Sequence, residues 1–528
     1  VSETVRSYSR PGAVTRRRGH GRRRASGALL LILATLFLWV LWTTRDTHAM
    51  GGLIPEGQDY QIYMSDFLNK RAQIAESRLW VLVPEDTTLA EVPRMLRDNF
   101  GMPEWVLNNL IYGLCHVSGS DLQEFDDLLF VTRMTRVGTL IERFHRFLPG
   151  IEKDFAGGLR VRIIPEAGLY YAVRGRVLAV SPSRSALIRA LTLTPDTALG
   201  NQALAAGLAE LGIEDLSAQL ELQEEDPLGG YFEELQVAMR LEETAGALVC
   251  RGRLRESQRA HLAPLLAQAT PRTLQAPPEG LAGISADFGR PLPELWAALG
   301  GIWESTTGEQ PALFTWAEDA EGDMAALGEM LRLVLGATGA SWRLSWHGVD
   351  LHEMLPVPEL VGRFQADARI LEPLFASVPA ATAGAPHDAV LRRHPETGLV
   401  SLPLLGGPSI EPSAALHGGE LLLSTSRTVA EAALTAPSAG TTLSERGNLY
   451  IHIDPYAATR AVVNAGMEFA AFGAVRGHTQ ESFTEAAAGW LETASKMEAV
   501  TLLAAHSNGE VRLDLQVRVR AEAPEAVE

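Results

Sequence analysis

The run Ala25–Trp42 (ASGALLLILATLFLWVLW), preceded by the clusters Arg16–Arg18 and Arg22–Arg24, constrains everything that follows it. A helix rises about 1.5 Å per residue, so about twenty apolar residues span the ~30 Å hydrocarbon core of a bilayer. Extended by Thr43 and Thr44, the run meets that length. It holds no charge and carries Trp39 and Trp42 toward its far end, where indole rings favour the interface. The arginines before it place the N-terminus in the cytoplasm and the bulk of the chain outside. A cleaved signal peptide is the alternative, with Thr47-His48-Ala49 as a poor small-residue site. The apolar regions of such peptides run about 7–15 residues, shorter than this one. The sequence therefore predicts an uncleaved signal-anchor at residues 25–44, in contact with the lipid bilayer. This gives a single-pass protein of a bacterial inner membrane with extracytoplasmic (periplasmic) C-terminal domains.

Charge is distributed to match. The whole chain carries −18; residues 1–24 hold eight Arg and one Glu, or +7, so the remainder carries −25. An acidic exterior argues against nucleic acid as a partner and against broad docking on anionic polymers. The basic segment reads as a topology signal. Lys70, Lys153 and Lys496 are the only lysines. The two cysteines, Cys115 and Cys250, sit among apolar residues (IYGLCHV and ALVCRG), where free thiols are common; this is not a disulfide-stapled scaffold.

Along the chain the expected divisions are a basic tail (1–24), the anchor (25–44), and a stalk with a linking helix (45–78). A first α+β domain (79–269), a Pro-rich linker (270–280), a second α+β domain (281–520) and an acidic tail (521–528) follow. In the first domain Leu79–Val83 reads as a buried strand, and Thr88 with Glu91 as a capping box. Leu128–Thr132 is a strand followed by a helix over Thr139–Leu148. Leu159–Ile164 and Leu169–Val173 read as paired strands. Val177–Val180 is a strand, and Ser181-Pro182 starts a helix to Leu191. Leu204–Glu225 reads as helical, and Leu235–Glu242 with Ala247–Leu254 as a hairpin.

The second domain repeats the programme. Leu281–Ala286 and Pro293–Leu299 form a strand and helix, as do Ala312–Trp316 and Met324–Leu335. Ser341–Trp346 and Gly348–Met354 suggest a hairpin. Gly175–Leu191 (GRVLAVSPSRSALIRAL) aligns without gaps with Gly418–Leu434 (GGELLLSTSRTVAEAAL). The two agree at Gly175/Gly418, Ser181/Ser424, Ser183/Ser426, Arg184/Arg427, Ala190/Ala433 and Leu191/Leu434. Val500–Ala505 and Glu510–Val519 flank Asn508-Gly509, a strong two-residue turn signal. The expected fold is α+β: a transmembrane helix, then two related domains of mainly antiparallel sheet with helices on one face, from a tandem duplication.

A basic tail, one apolar helix and duplicated units of strand, small turn and Ser-capped helix resemble membrane-anchored extracytoplasmic bacterial proteins catalogued as domains of unknown function. Gly175–Leu191 and Gly418–Leu434 carry the resemblance, with Leu79–Met95 and Val500–Val519. It implies an envelope location and supplies no functional residues.

Several clusters have the composition of sites, each with a structural reading beside it. His452 and Asp454 (LYIHIDPY) share a strand face as a metal pair would, yet Asp454-Pro455 is also a helix start. His347, Asp350, His352 and Glu353 (HGVDLHE) look metal-like, but position 356 is Pro, so the HExxH spacing is absent. Ser183-Arg184 and Ser426-Arg427 could form paired anion sites at helix N-termini, or simply be duplicated caps. Cys115-His116 could be a nucleophile and base, but neighbours on a strand point apart. No Walker loop, GxSxG or SxxK appears. No residue is assigned as catalytic, cofactor-binding or metal-binding, and no cofactor is expected. The leading expectation is a non-enzymatic binding or scaffolding module with an envelope protein partner. The alternative is a peptide- or glycan-directed hydrolase using dispersed carboxylates.

Overall fold

The structure, a computed structural model, describes residues 31, 33–83, 88–98, 104–120, 127–145, 152–156, 159–165, 168–211, 215–226, 228–308, 333–351, 356–380, 391–403, 408–435 and 441–520. The fold is α+β and built on antiparallel sheet. In chain order the first half holds β1 (Tyr60–Met64), β2 (Ile111–Gly119), β3 (Leu129–Met134), β4 (Glu152–Ala156) and β5 (Leu159–Ile164). It continues with β6 (Leu169–Arg174), β7 (Val177–Ser181), β8 (Leu216–Glu221), β9 (Phe232–Leu241) and β10 (Ala245–Leu254). The second half holds β11 (Arg272–Gln275), β12 (Ala282–Asp287), β13 (Thr338–Asp350), β14 (Val357–Ala366), β15 (Arg392–Arg393) and β16 (Val400–Ser401). It ends with β17 (Ser413–His417), β18 (Glu420–Ser424), β19 (Thr442–Gly447), β20 (Leu449–Ile453), β21 (Met497–Ser507) and β22 (Glu510–Val519).

Two compact units divide the chain: Val1–Glu56 with Trp105–Tyr112 and Asp126–Gln202, and Gly57–Glu104 with Gly113–Phe125 and Ala203–Glu528. In the first unit the strand order is β4-β5-β6-β7-β3, all antiparallel. In the second it is β2-β1-β8-β9-β10, then β22-β21-β20-β12-β13-β14-β18-β17-β16-β15, also antiparallel. Read outward from β10 and from β22, the neighbours follow one programme. β10-β9-β8-β1-β2 runs like β22-β21-β20-β12-β13, and β3-β7-β6-β5-β4 runs like β14-β18-β17-β16-β15.

Local chemistry explains the repeated turn. Gly175 and Gly418 both have φ +60°, in two-residue turns that close β6–β7 and β17–β18. Such turns need left-handed backbone, which glycine adopts without a Cβ penalty. Past the second strand of each pair, Ser183 Oγ accepts the amide of Ala186 (3.3 Å) and Ser426 Oγ that of Val429 (3.1 Å). Both serines therefore cap helices, Arg184–Thr192 and Arg427–Thr435. The helix faces this orients are buried: Ala186 and Leu187 in one, Val429 and Ala430 in the other.

The core corrects the expectation that helices cover one face. Val361 and Leu422 pack with Val429 and Ala430 of the helix Arg427–Thr435. Phe364 and Leu421, on the opposite face by strand alternation, pack with Leu371 of the helix Ala368–Ser377. Helices thus sandwich the sheet at β14–β18, and burying each Leu adds about 1.5–3 kcal/mol.

Other elements differ from their sequence reading. Leu79–Val83 is no strand: Arg78–Leu82 form a 3-10 turn with Val81 exposed, fixed by the Arg78 amide on Glu243 O at 2.8 Å. Thr88–Glu91 is also 3-10, and Glu91 makes no side-chain cap bond. The helix expected over 204–225 stops at Leu211, and β8 takes up Leu216–Glu221 because its alternating side chains fit between β1 and β9. Inside the Pro-rich 270–280, Arg272–Gln275 pair with β19 and bury Leu274. The hairpin expected around His347 is one strand, β13, with a bulge between Trp346 and Gly348. Ala312–Trp316 and most of Met324–Leu335 lie outside the described residues. Of the stretch expected as a stalk, Met50, Leu53 and Ile54 are buried.

Among the described residues no helix is long and apolar enough to cross a membrane. Residues 25–30 and 32 of the expected anchor lie outside the described residues; Leu31 and 33–43 are helical, with Leu33, Phe37 and Trp42 exposed.

Candidate functional site

Strands β20, β21 and β22 lie side by side, and alternate residues of each point to one face. That face presents Tyr450 and His452, then Thr501 and Leu503, then Asp514, Gln516 and Arg518. Leu443, Ser444 and Glu445 of β19 wall one side, leaving a concavity of about 320 Å³. Volumes near this lower bound hold small molecules.

Its polar groups fall into two sets. Asp514, nearly buried, is clamped by Arg512, whose Nε donates to Oδ1 at 3.0 Å and whose Nη2 lies 2.7 Å from Oδ2. Arg512 also reaches Glu445 at 3.8 Å. Tyr450, His452, Thr501, Gln516 and Arg518 form no side-chain hydrogen bond or ion pair with any described residue. Burial raises the Tyr450 phenol, and the Arg518 charge opposes that shift. An arginine, a phenol, an imidazole, a hydroxyl and an amide therefore converge with free donors. The set suits recognition of an anion; it lacks an activated nucleophile next to a base.

The residues singled out by sequence fall elsewhere or play structural parts. Asp454 caps the helix Pro455–Ala471, accepting the Ala457 amide at 3.0 Å, so only His452 of that pair faces the concavity. His347 is the bulged residue of β13; its Nε2 sits 2.9 Å from Ser345 Oγ, and burial lowers its pKa. His352 and Glu353 lie outside the described residues. Glu359, across from Gly348, has its carboxyl raised by burial and by Asp350. Among the described residues no three His, Cys, Asp or Glu side chains gather as a metal would need.

Arg427 is engaged by Glu411 (3.1 Å) and Glu431 (3.8 Å), which leaves the Ser426–Arg427 helix start internally neutralised. His116 is fully buried, edge-on to Tyr63 with ring centroids 4.9 Å apart. Burial lowers its pKa to about 3 and raises Tyr63 to about 12, so His116 stays neutral at physiological pH. Cys115 and Cys250 form no disulfide; burial and then Asp514 push the Cys250 thiol up. Sequence reasoning found His452 but missed its companions, because they come from positions 443–518 and only sheet register unites them.

No family model matches the chain, and no curated protein does. Five solved chains do, among them three crystal forms of TP0453. Form III has TM-score 0.25 and 8% identity, covering 43% of this chain and 90% of that one. Form IV has TM-score 0.24 and 9% identity over 42% and 86%. Form I has TM-score 0.23 and 8% identity over 43% and 88%.

Proposed function

We propose that this chain is a non-enzymatic, single-pass protein of the bacterial envelope whose extracytoplasmic part is a binding module. Residues 25–44 are its anchor in the inner membrane, and the N-terminus is cytoplasmic. The arginine clusters, the uncharged apolar run and the exposed Leu33, Phe37 and Trp42 support the anchor. The module arose by tandem duplication, a reading supported by the matched strand orders and by the paired Gly-turn, Ser-capped helices.

The observation that carries the binding reading is the concavity on β20–β22, where five polar side chains point at open space without a partner among the described residues. Groups left so are poised to trade water for a ligand. Tethering at the membrane raises their effective concentration toward envelope partners.

The test is photocrosslinking in living cells from a reactive residue placed at Glu445, on the rim. Mass spectrometry would then identify the captured species. We expect one adduct that competes with the unlabelled ectodomain and vanishes when the reactive group is moved to the exposed Trp490. Indistinguishable adducts from both positions would overturn the reading. Alkaline extraction checks the anchor separately: the full chain stays with the membrane pellet, and its release would remove the single-pass assignment.

A further inference from the structure

The two central hairpins match residue for residue when counted out from their turns. Glu242 and Ala245 close one, Ser507 and Glu510 the other, each around a two-residue turn. At the same distance from its turn, Arg253 faces Glu234 across β9–β10, and Arg518 faces Ala499 across β21–β22. On the seam side Arg253 faces Glu510, whereas Arg518 faces Ala245. Arg253 thus stands between two carboxylates and Arg518 between two methyl groups.

The first of these places is a complete carboxylate receptor already holding its carboxylate. Glu234 Oε2 lies 3.3 Å from Arg253 Nη2, and its Oε1 accepts the amides of Gln219 (3.0 Å) and Gln236 (3.1 Å). At the matching positions on β20 and β21 stand His452 and Thr501, themselves cross-strand partners as Gln219 and Gln236 are. The donors persist, in new chemical form, while the carboxylate is gone. Space follows the same pattern: the concavity around Glu234 and Arg253 is about 60 Å³, and that around Arg518 is about 320 Å³.

We infer that the concavity around Arg518 binds a small organic carboxylate, which takes the position that the side chain of Glu234 fills in the first half. Arg518 pairs with one carboxylate oxygen, and Thr501 and the His452 ring N–H donate to the other. Tyr450 and Gln516 address the remainder of the molecule. The inference deepens the binding-module reading and rests on it.

The experiment is calorimetric titration of the full chain in detergent with glutarate, with dimethyl glutarate and sulfate as comparison probes. Glutarate should bind saturably, dimethyl glutarate should not, and sulfate should bind at least tenfold more weakly. Ala499→Glu rebuilds the first-half arrangement inside the site; it should abolish glutarate binding without lowering the unfolding temperature. Arg518→Gln should weaken binding at least tenfold. Glutarate binding by Ala499→Glu at the parent's affinity would overturn the inference. So would sulfate binding as tightly as glutarate, or no saturation up to about 10 mM. A specific crosslinked partner at Glu445 together with absent glutarate binding would sink the carboxylate assignment and leave the binding module standing.

Discussion

The β3–β7 module of the first half and the β14–β18 module of the second share backbone and caps but differ inside. Ser181 and Ser424 end the second strand of each; opposite them in register stand Leu129 and Val361. One step inward the first module places Val131 beside Ala179, and the second places Arg363 beside Leu422. A step further, Val177 in one corresponds to Glu420 in the other. Val131 and Val177 are fully buried. Arg363, at 3% side-chain exposure, lies 3.6 Å from Glu420, and Arg343, at 5%, also pairs with Glu420. Within the second unit the same contrast recurs, with Arg343 facing Ser285 where the neutral His116 faces Tyr63. Glycine turns and serine caps define this module, and its interior can be hydrocarbon or ionic at the same register.

The sharpest break in that comparison is Glu420→Ala. It strips the counter-charge from the buried guanidinium of Arg363 and one partner from Arg343, and should cost about 3–5 kcal/mol in urea unfolding, because the desolvated charge of Arg363 loses its ion pair. A loss below about 1 kcal/mol would show that the ionic interior does not depend on this carboxylate.

Acid probes the neutral side. His116 has a folded pKa of about 3, against an ordinary histidine value of 6.5. The unfolded chain therefore binds the proton better, so the histidine's contribution is complete above about pH 6.5 and is lost as pH falls toward 3. The slope should reach about 1.4 kcal/mol per pH unit. Unfolding measured at several pH values in that window should lose this slope in His116→Leu. An unchanged slope would place the acid sensitivity elsewhere.

Smaller effects follow from the shared parts. Ser183→Ala and Ser426→Ala should each cost about 1 kcal/mol, by the same amount within error, since each removes one cap bond. Unequal losses in unfolding would mean that the caps are not equivalent. The smallest change is expected from Arg343→Met, Arg363→Val and Glu420→Val combined, which gives β14 and β18 the valines of the first module and leaves position 343 uncharged. Its unfolding free energy should fall by less than about 0.5 kcal/mol, and a loss as large as that of Glu420→Ala would deny that the interiors are interchangeable.

Much of the sheet was legible wherever alternation and turn chemistry agreed. Val177–Val180, the 159–173 pair and both central hairpins emerged close to their observed bounds, with Asn508 at φ 52° and Gly509 at φ 82° in the expected turn. Leu79–Val83 misled because a five-residue apolar run fits strand and turn alike, and only the bond from Arg78 to Glu243 decides. β8 hid behind the helix before it, although Gly212 between them is a stop signal. The carboxylate site was beyond reach for a different reason. Arg518 matters because residues 499 and 245 are alanine, and nothing local says that these three positions meet.

The seam between β10 and β22 joins the last strand of the first half to the last of the described strands. A polypeptide made from its N-terminus must leave the β22-facing hydrogen-bonding edge of β10 open until Glu510–Val519 follows. Throughout that interval the first half presents a sticky border, and any product cut short before Glu510 presents it permanently. The order of synthesis thus makes the β21–β22 hairpin a quality checkpoint: only a chain that reaches β22 hides the edge of β10.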